Sequence, residues 1–259
     1  VGILTQEVDS EVMRKFGNTY IPSSYVKYIE SAGARVVPIR LNQSFAEHEK
    51  LFKSINGLFL IGGAVNLETS DFARTAGFYF RLALKANDQG DYFPIWGTCL
   101  GFQLLTVLVA GENLLSKTTA ENVTYPLNFS SEQQTITNSS SFFRFMNNEK
   151  LTGLFSVIST NIAQNGAEFV STIEGRKYPF YGVQWHPEVN RFQWNPHYSF
   201  PHSSNAVHVS SLLAQFFVNE GRRSTHRFSD AAEESAVLIY NCNPVYVEKI
   251  SAYEQSYFF

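Results

Sequence analysis

Tyr92-Phe93-Pro94-Ile95-Trp96-Gly97-Thr98-Cys99-Leu100-Gly101-Phe102-Gln103 decides the fold. The run from Tyr92 to Trp96 reads as a short buried strand. Leu100, Phe102, Leu104, Leu105, Val107 and Leu108 then make a helix that is apolar on nearly every side. A strand passing straight into a helix needs a tight turn, and Gly97 and Gly101 bracket it, letting substrate and a second strand approach closely. Cys99 stands at the bend. Such an elbow strains its central residue and lifts the side chain clear of the sheet. Free N–H groups at the helix start lower a thiol pKa and can hold an oxyanion. Taken alone, the residues leave a second reading open, in which Cys99 is a small buried core residue.

A base for this thiol lies far along the chain. Tyr178-Pro179-Phe180-Tyr181-Gly182-Val183-Gln184-Trp185 reads as another buried strand and ends in His186-Pro187-Glu188. An imidazole can take the thiol proton and return it to a leaving amine, and a carboxylate can fix the ring's tautomer and steady its charge. His186 is the candidate base and Glu188 the candidate orienter. The competing readings are a structural histidine before proline and a solvated surface carboxylate. The run Gly57-Leu58-Phe59-Leu60-Ile61 is a third buried strand, and Gly62-Gly63 after it permits a sharp turn with exposed amides.

These stretches together resemble the gamma-glutamyl hydrolase branch of the class I glutamine amidotransferase-like family. The resemblance runs from Gly2-Ile3-Leu4-Thr5-Gln6 through Tyr25 to Pro38, Phe52 to Gly57 with Gly62-Gly63, and Asp91 to Phe102, to Tyr181 through Glu188. It implies a three-layer α/β/α fold with a mostly parallel central sheet, forming one domain over residues 1–259. It also implies Cys99 as nucleophile, His186 as base and Glu188 as third member. The N–H groups of Gly63 and Leu100 form the implied oxyanion hole, and Gly62 and Gln103 hold substrate, although this branch often carries glutamate at the position of Gln103. The implied reaction is hydrolysis of gamma-glutamyl amide bonds in folate or antifolate poly-gamma-glutamates through a thioester, without cofactor. Relatives carry a longer segment between Asn128 and Phe155, with an additional histidine near the cleft, and this chain has no histidine between His48 and His186. That shortening keeps a weakened binding homologue in view, and a glutaminase-type amidotransferase domain, which would share the Cys–His–Glu set, is a second alternative.

Composition narrows the classes further. A length of 259 residues with 44% hydrophobic and 15% aromatic content supports a sizeable core. A formal net charge of −3 argues against nucleic acid as partner, because phosphate binding needs a basic face. No apolar run reaches the roughly 18–20 residues a membrane helix requires. The opening strand Val1-Gly2-Ile3-Leu4-Thr5 has the look of a processed mature form. Sequons at Asn42, Asn122, Asn128 and Asn138 point to a secreted, lysosomal or vacuolar protein. Cys99 and Cys242 are expected to stay unpaired, and a homodimer is left open.

Strands alternate with helices, which favours a parallel sheet covered on both faces. Tyr25, Tyr28, Ile29 and Ala32 line one helical face capped by Gly33; a second helix runs from Asp71 to about Leu84. Val209, Leu212, Leu213, Phe216 and Phe217 mark a third, capped at Ser204 or Asn205 and ending before Gly221. Ser130 to Ser141 predicts a mobile loop, and His226 to Phe259 a tail packed on the domain. His197, His202 and His208, spaced by five and six without cysteine or nearby carboxylate, do not form a zinc pattern.

Overall fold

The computed structural model describes residues 1–129 and 144–259. The predicted loop Ser130–Ser141 and the sequon at Asn138 lie outside the described residues. Strands β1 (Gly2–Leu4), β2 (Gln6–Glu7), β3 (Thr19–Pro22), β4 (Val37–Ile39), β5 (Leu58–Leu60) and β6 (Ile95–Thr98) come from the first part of the chain. β7 (Asn128–Phe129), β8 (Phe155–Ile162), β9 (Glu168–Gly175), β10 (Phe180–Val183), β11 (Val245–Tyr246) and β12 (Gln255–Phe258) follow.

Eight of them form one sheet in the order β4-β1-β5-β6-β10-β9-β8-β7. The pairs from β4 to β10 are parallel, and those from β10 to β7 are antiparallel. β5, β6 and β10 are neighbours with Leu60 opposite Gly97 and Thr98 opposite Val183, so their C-terminal ends lie side by side. The loops after β5, β6 and β10 therefore meet, although they are far apart in sequence. This is how Gly62, Cys99 and His186 converge.

Helices cover both faces. Phe59 of β5 and Trp96 of β6 stack with each other at 6.3 Å, and both rings meet Phe217 of the helix Ser204–Gly221. Phe180 of β10 meets Phe80 of the helix Asp71–Asp88 at 5.4 Å. Each fully buried aromatic contributes roughly 1.5–3 kcal/mol from burial. A second, four-stranded sheet, β11-β12-β3-β2, ties the tail to the start of the chain.

Boundaries shift where side chains compete for backbone groups. The strand predicted over Tyr92–Trp96 starts at Ile95, because Asn87 at the preceding helix end binds Phe93 N–H through Oδ1 and Phe93 C=O through Nδ2. The first predicted helix, Ser23–Glu30, has Ser31 as its C-cap rather than Gly33, which lies two residues further on at φ +87°. The second continues to Asp88, and the third is capped by Ser203, whose hydroxyl accepts the Ala206 N–H.

Candidate active site

Cys99 has φ 52° and ψ −107°, and only Asn122 shares a positive φ among the described non-glycine residues. The strain predicted for the elbow is thus present in the backbone. Its N–H donates to Val183 C=O at 2.8 Å, locking the bend to β10. The bracketing glycines serve packing here. A Cβ at Gly97 would stand 2.5 Å from Gly101 C=O oxygen, and one at Gly101 only 2.3 Å from the Leu60 carbonyl oxygen. The helix Leu100–Ala110 can press onto β5 and β6 only because both positions lack a side chain.

His186 follows β10, and its ring and the Cys99 side chain both border the space left open at Gly62. Its Nδ1 donates to Glu188 Oε1 at 2.7 Å. Glu188 is 0% exposed, and its Oε2 has no hydrogen-bond partner among the described residues, so the reading of this residue as a solvated surface charge is overturned. The turn carrying both is fixed from behind: Ser210 donates to Pro187 C=O at 2.6 Å and accepts from Arg191 Nε at 3.1 Å.

Electrostatics match this geometry. Burial opposes the Cys99 thiolate, and Glu188 adds to that opposition. The charge of His186, with the Leu100 N–H, outweighs both and brings the thiol below its ordinary pKa. Burial likewise opposes a charged His186, but Glu188 and Cys99 reverse the balance and hold the imidazolium well above the usual histidine range. The two shifts favour one arrangement, thiolate beside imidazolium.

Gly62 forms the third side. A Cβ there would stand 2.7 Å from Tyr25 Oη, 2.8 Å from His186 Cε1 and 3.2 Å from Cys99 Cβ, so the three side chains meet in the space Gly62 leaves. Tyr25 Oη accepts the Gly62 N–H at 2.9 Å and lies 3.4 Å from His186 Nδ1. Gly63, Cys99 and His186 line a cleft of about 350 Å³ with Gln6, Asp9, Met13, Tyr20 and Tyr253. Gln103, early in the following helix, donates from Nε2 to Gln184 Oε1 at 3.1 Å. The arrangement can attack a carbonyl with a charged sulfur, hold the resulting oxygen at backbone amides, and return a proton from the imidazolium.

Tyr25 and Gln6 were not singled out as site residues by sequence reasoning. Both lie in stretches that carry the resemblance, yet Tyr25 reads there as part of an apolar face. Among the described residues no group of three metal-ligating side chains stands together. His202 instead stacks on Trp194 at 3.7 Å and contacts Asn190 C=O at 3.0 Å. Cys99 and Cys242 are both free.

The strand order, the cysteine elbow and the histidine after β10 define an α/β protein with a cysteine–histidine site of the kind used by thiol hydrolases. The chain belongs to the peptidase C26 family, whose profile matches residues 1–188. It is 44% identical over 283 aligned positions to "Gamma-glutamyl hydrolase" of Homo sapiens, covering 100% of this chain and 89% of that protein. "Gamma-glutamyl hydrolase B" of Dictyostelium discoideum is 39% identical, with 100% of this chain and 82% of that protein covered. "Gamma-glutamyl hydrolase" of Glycine max is 32% identical, covering 100% and 84% respectively. The human alignment spans 283 positions against the 259 residues of this chain, so that relative carries residues this chain lacks.

Proposed function

We propose that this chain, as a single domain, hydrolyses gamma-glutamyl amide bonds, with folate poly-gamma-glutamates as the substrate class. The reading is carried by the series from buried Glu188 through partly exposed His186 to Cys99 at the strained elbow, and full-length similarity to gamma-glutamyl hydrolases supports it. The Cys99 thiolate attacks the gamma-carbonyl carbon; a C–S bond forms and the π pair moves to oxygen. The N–H groups of Gly63 and Leu100 accept that oxyanion as donors. Collapse breaks the C–N bond, and the leaving amine takes its proton from imidazolium His186. Water then attacks the thioester, His186 takes its proton, and the thiolate departs as the free gamma-carboxylate forms.

Glu188 keeps the ring oriented throughout, and Gln103 and Gly62 border the substrate's glutamyl group. Tyr20, Tyr253 and Met13 give the cleft an apolar, aromatic side suited to the ring system of a folate. No Lys or Arg is among the described residues lining it, so the distal carboxylates of a polyglutamate extend past this region. No described helix is long and apolar enough to cross a membrane. Asn42, Asn122 and Asn128 are solvent-exposed, which supports glycosylation and a lysosomal, vacuolar or secreted location. A mass shift on N-glycanase treatment of the native protein checks that point.

Incubating pteroyl-poly-gamma-glutamate with the protein and with Cys99→Ala, and resolving products by length, tests the activity. Shortened products are expected from the parent alone. Equal cleavage by both, or cleavage of alpha-linked but not gamma-linked peptides, overturns the proposal.

A further inference from the structure

Two polar side chains grip the loop after β5 from opposite ends. Gln6, on β2 and only 1% exposed, accepts the Ala64 N–H at 3.2 Å and donates toward the Gly62 carbonyl at 3.5 Å. Tyr25, fully buried, accepts the Gly62 N–H at 2.9 Å. Of three consecutive amides the outer two are taken. The middle one, Gly63 N–H, has no acceptor among the described residues and sits at the cleft beside Cys99. The space where a Gly63 Cβ would stand is filled by the Gln6 amide, whose Oε1 lies 1.7 Å from that position.

Two adjacent glycines give this loop wide conformational freedom. Rotating the 62–64 peptides would strip buried donors of their acceptors, which is costly because the groups left behind remain desolvated. A donor held in place before reaction costs no reorganisation when charge develops on the substrate oxygen.

We infer that Gln6 is a positioning residue: its side-chain amide, opposed by Tyr25, clamps residues 62–64 so that the Gly63 N–H stays aimed at the carbonyl oxygen of a substrate on Cys99. This inference rests on the functional reading above, which gives that N–H to the oxyanion. Gln6 does not hydrogen-bond to Cys99 or His186, so its effect passes through the loop.

Gln6→Met keeps side-chain length and removes both hydrogen bonds. The expected result is a kcat on gamma-glutamyl peptides lower by roughly tenfold to a hundredfold, short of the ~10²–10³ lost with an entire oxyanion donor. KM stays near the parent value, and so do the rate and pH profile of Cys99 alkylation by iodoacetamide. Tyr25→Phe retains the buried ring but removes both the acceptor for Gly62 N–H and the Oη contact to His186 Nδ1, so if Gln6→Met does not fold it is read on kcat, KM and aldehyde affinity and not on alkylation. A peptide aldehyde ending in a glutamate semialdehyde supplies a readout without turnover. The Cys99 thiolate bonds its carbonyl carbon, the C=O π pair moves to the oxygen, and that oxygen takes the proton held by His186 and occupies the hole. Its affinity is expected to fall by a similar factor in either variant.

Unchanged kcat and aldehyde affinity overturn the inference. A raised KM with kcat retained overturns it in favour of direct substrate contact, and a parallel loss of alkylation in Gln6→Met overturns it in favour of a general structural role. If the parent itself fails to cleave gamma-glutamyl peptides, the functional reading falls. The aldehyde then decides the clamp separately: weaker binding to Gln6→Met supports it, and equal binding overturns it.

Discussion

Cys99 combines a strained backbone with a stabilised charge, and the two can be separated by substitution. At φ 52° a side chain costs free energy that glycine does not pay. Cys99→Gly is therefore expected to be more stable than Cys99→Ala by about 1 kcal/mol, within the ~1–3 kcal/mol range of such strain. Urea unfolding midpoints of the two check this; equal midpoints contradict it. Glu188 acts on the second property. Because its carboxylate helps hold His186 above the usual range, the alkaline limb of kcat/KM, where His186 loses its proton, lies above that range in the parent. Glu188→Gln keeps the volume and removes the charge, so this limb should move to lower pH and kcat should fall by roughly 10²-fold or more. An unmoved limb argues that the carboxylate does not govern the ring. The acid limb, set by the Cys99 thiol, is expected at a lower pH than that of an ordinary thiol.

The elements make those residues meet, and much of this was legible in the sequence. Buried parallel strands write themselves as short apolar runs, and the glycines around Cys99 mark the elbow, so β5, β6 and β10 and the turns after them could be read. Less legible was what each glycine is for. Gly101 faces the Leu60 carbonyl rather than a ligand, a fact of the crossing between helix and strand that no local pattern encodes. Gly101→Ala is expected to cost at least about 2 kcal/mol, since two backbones cannot both give way. Gly153, inside the helix Glu149–Leu154, has no atom of the described residues, beyond its chain neighbours and its own helix backbone, within 4 Å of where a Cβ would stand, and Gly153→Ala should stabilise by roughly 0.5–1 kcal/mol. Thermal or chemical denaturation of the pair checks both signs. Strand ends were misplaced where a side chain captured the backbone, as Asn87 does at Phe93.

Across the whole molecule, the polar partners are those that sequence reading missed. Tyr25 reaches Gly62 across 37 positions and Gln6 reaches Ala64 across 58, and neither distance leaves a periodic trace. The burial of Glu188 likewise depends on packing around the His186 turn. The tail was expected to pack against the domain, and it does so as a strand: β12 pairs with β3, with Tyr257 opposite Ile21. It also delivers Tyr253 to the cleft, 6.4 Å from Tyr20 by ring centroids. Tyr253→Ala is therefore expected to raise KM for a pteroyl substrate several-fold while leaving Cys99 alkylation unchanged. An unaltered KM removes the tail from the binding surface. The most direct measurement of the central claim is the rate of Cys99 alkylation by iodoacetamide as a function of pH, in the parent and in His186→Gln. A charged sulfur sustained by the imidazolium predicts a parent inflection below that of an ordinary thiol and an inflection shifted upward in His186→Gln; identical inflections at the ordinary thiol value would contradict it.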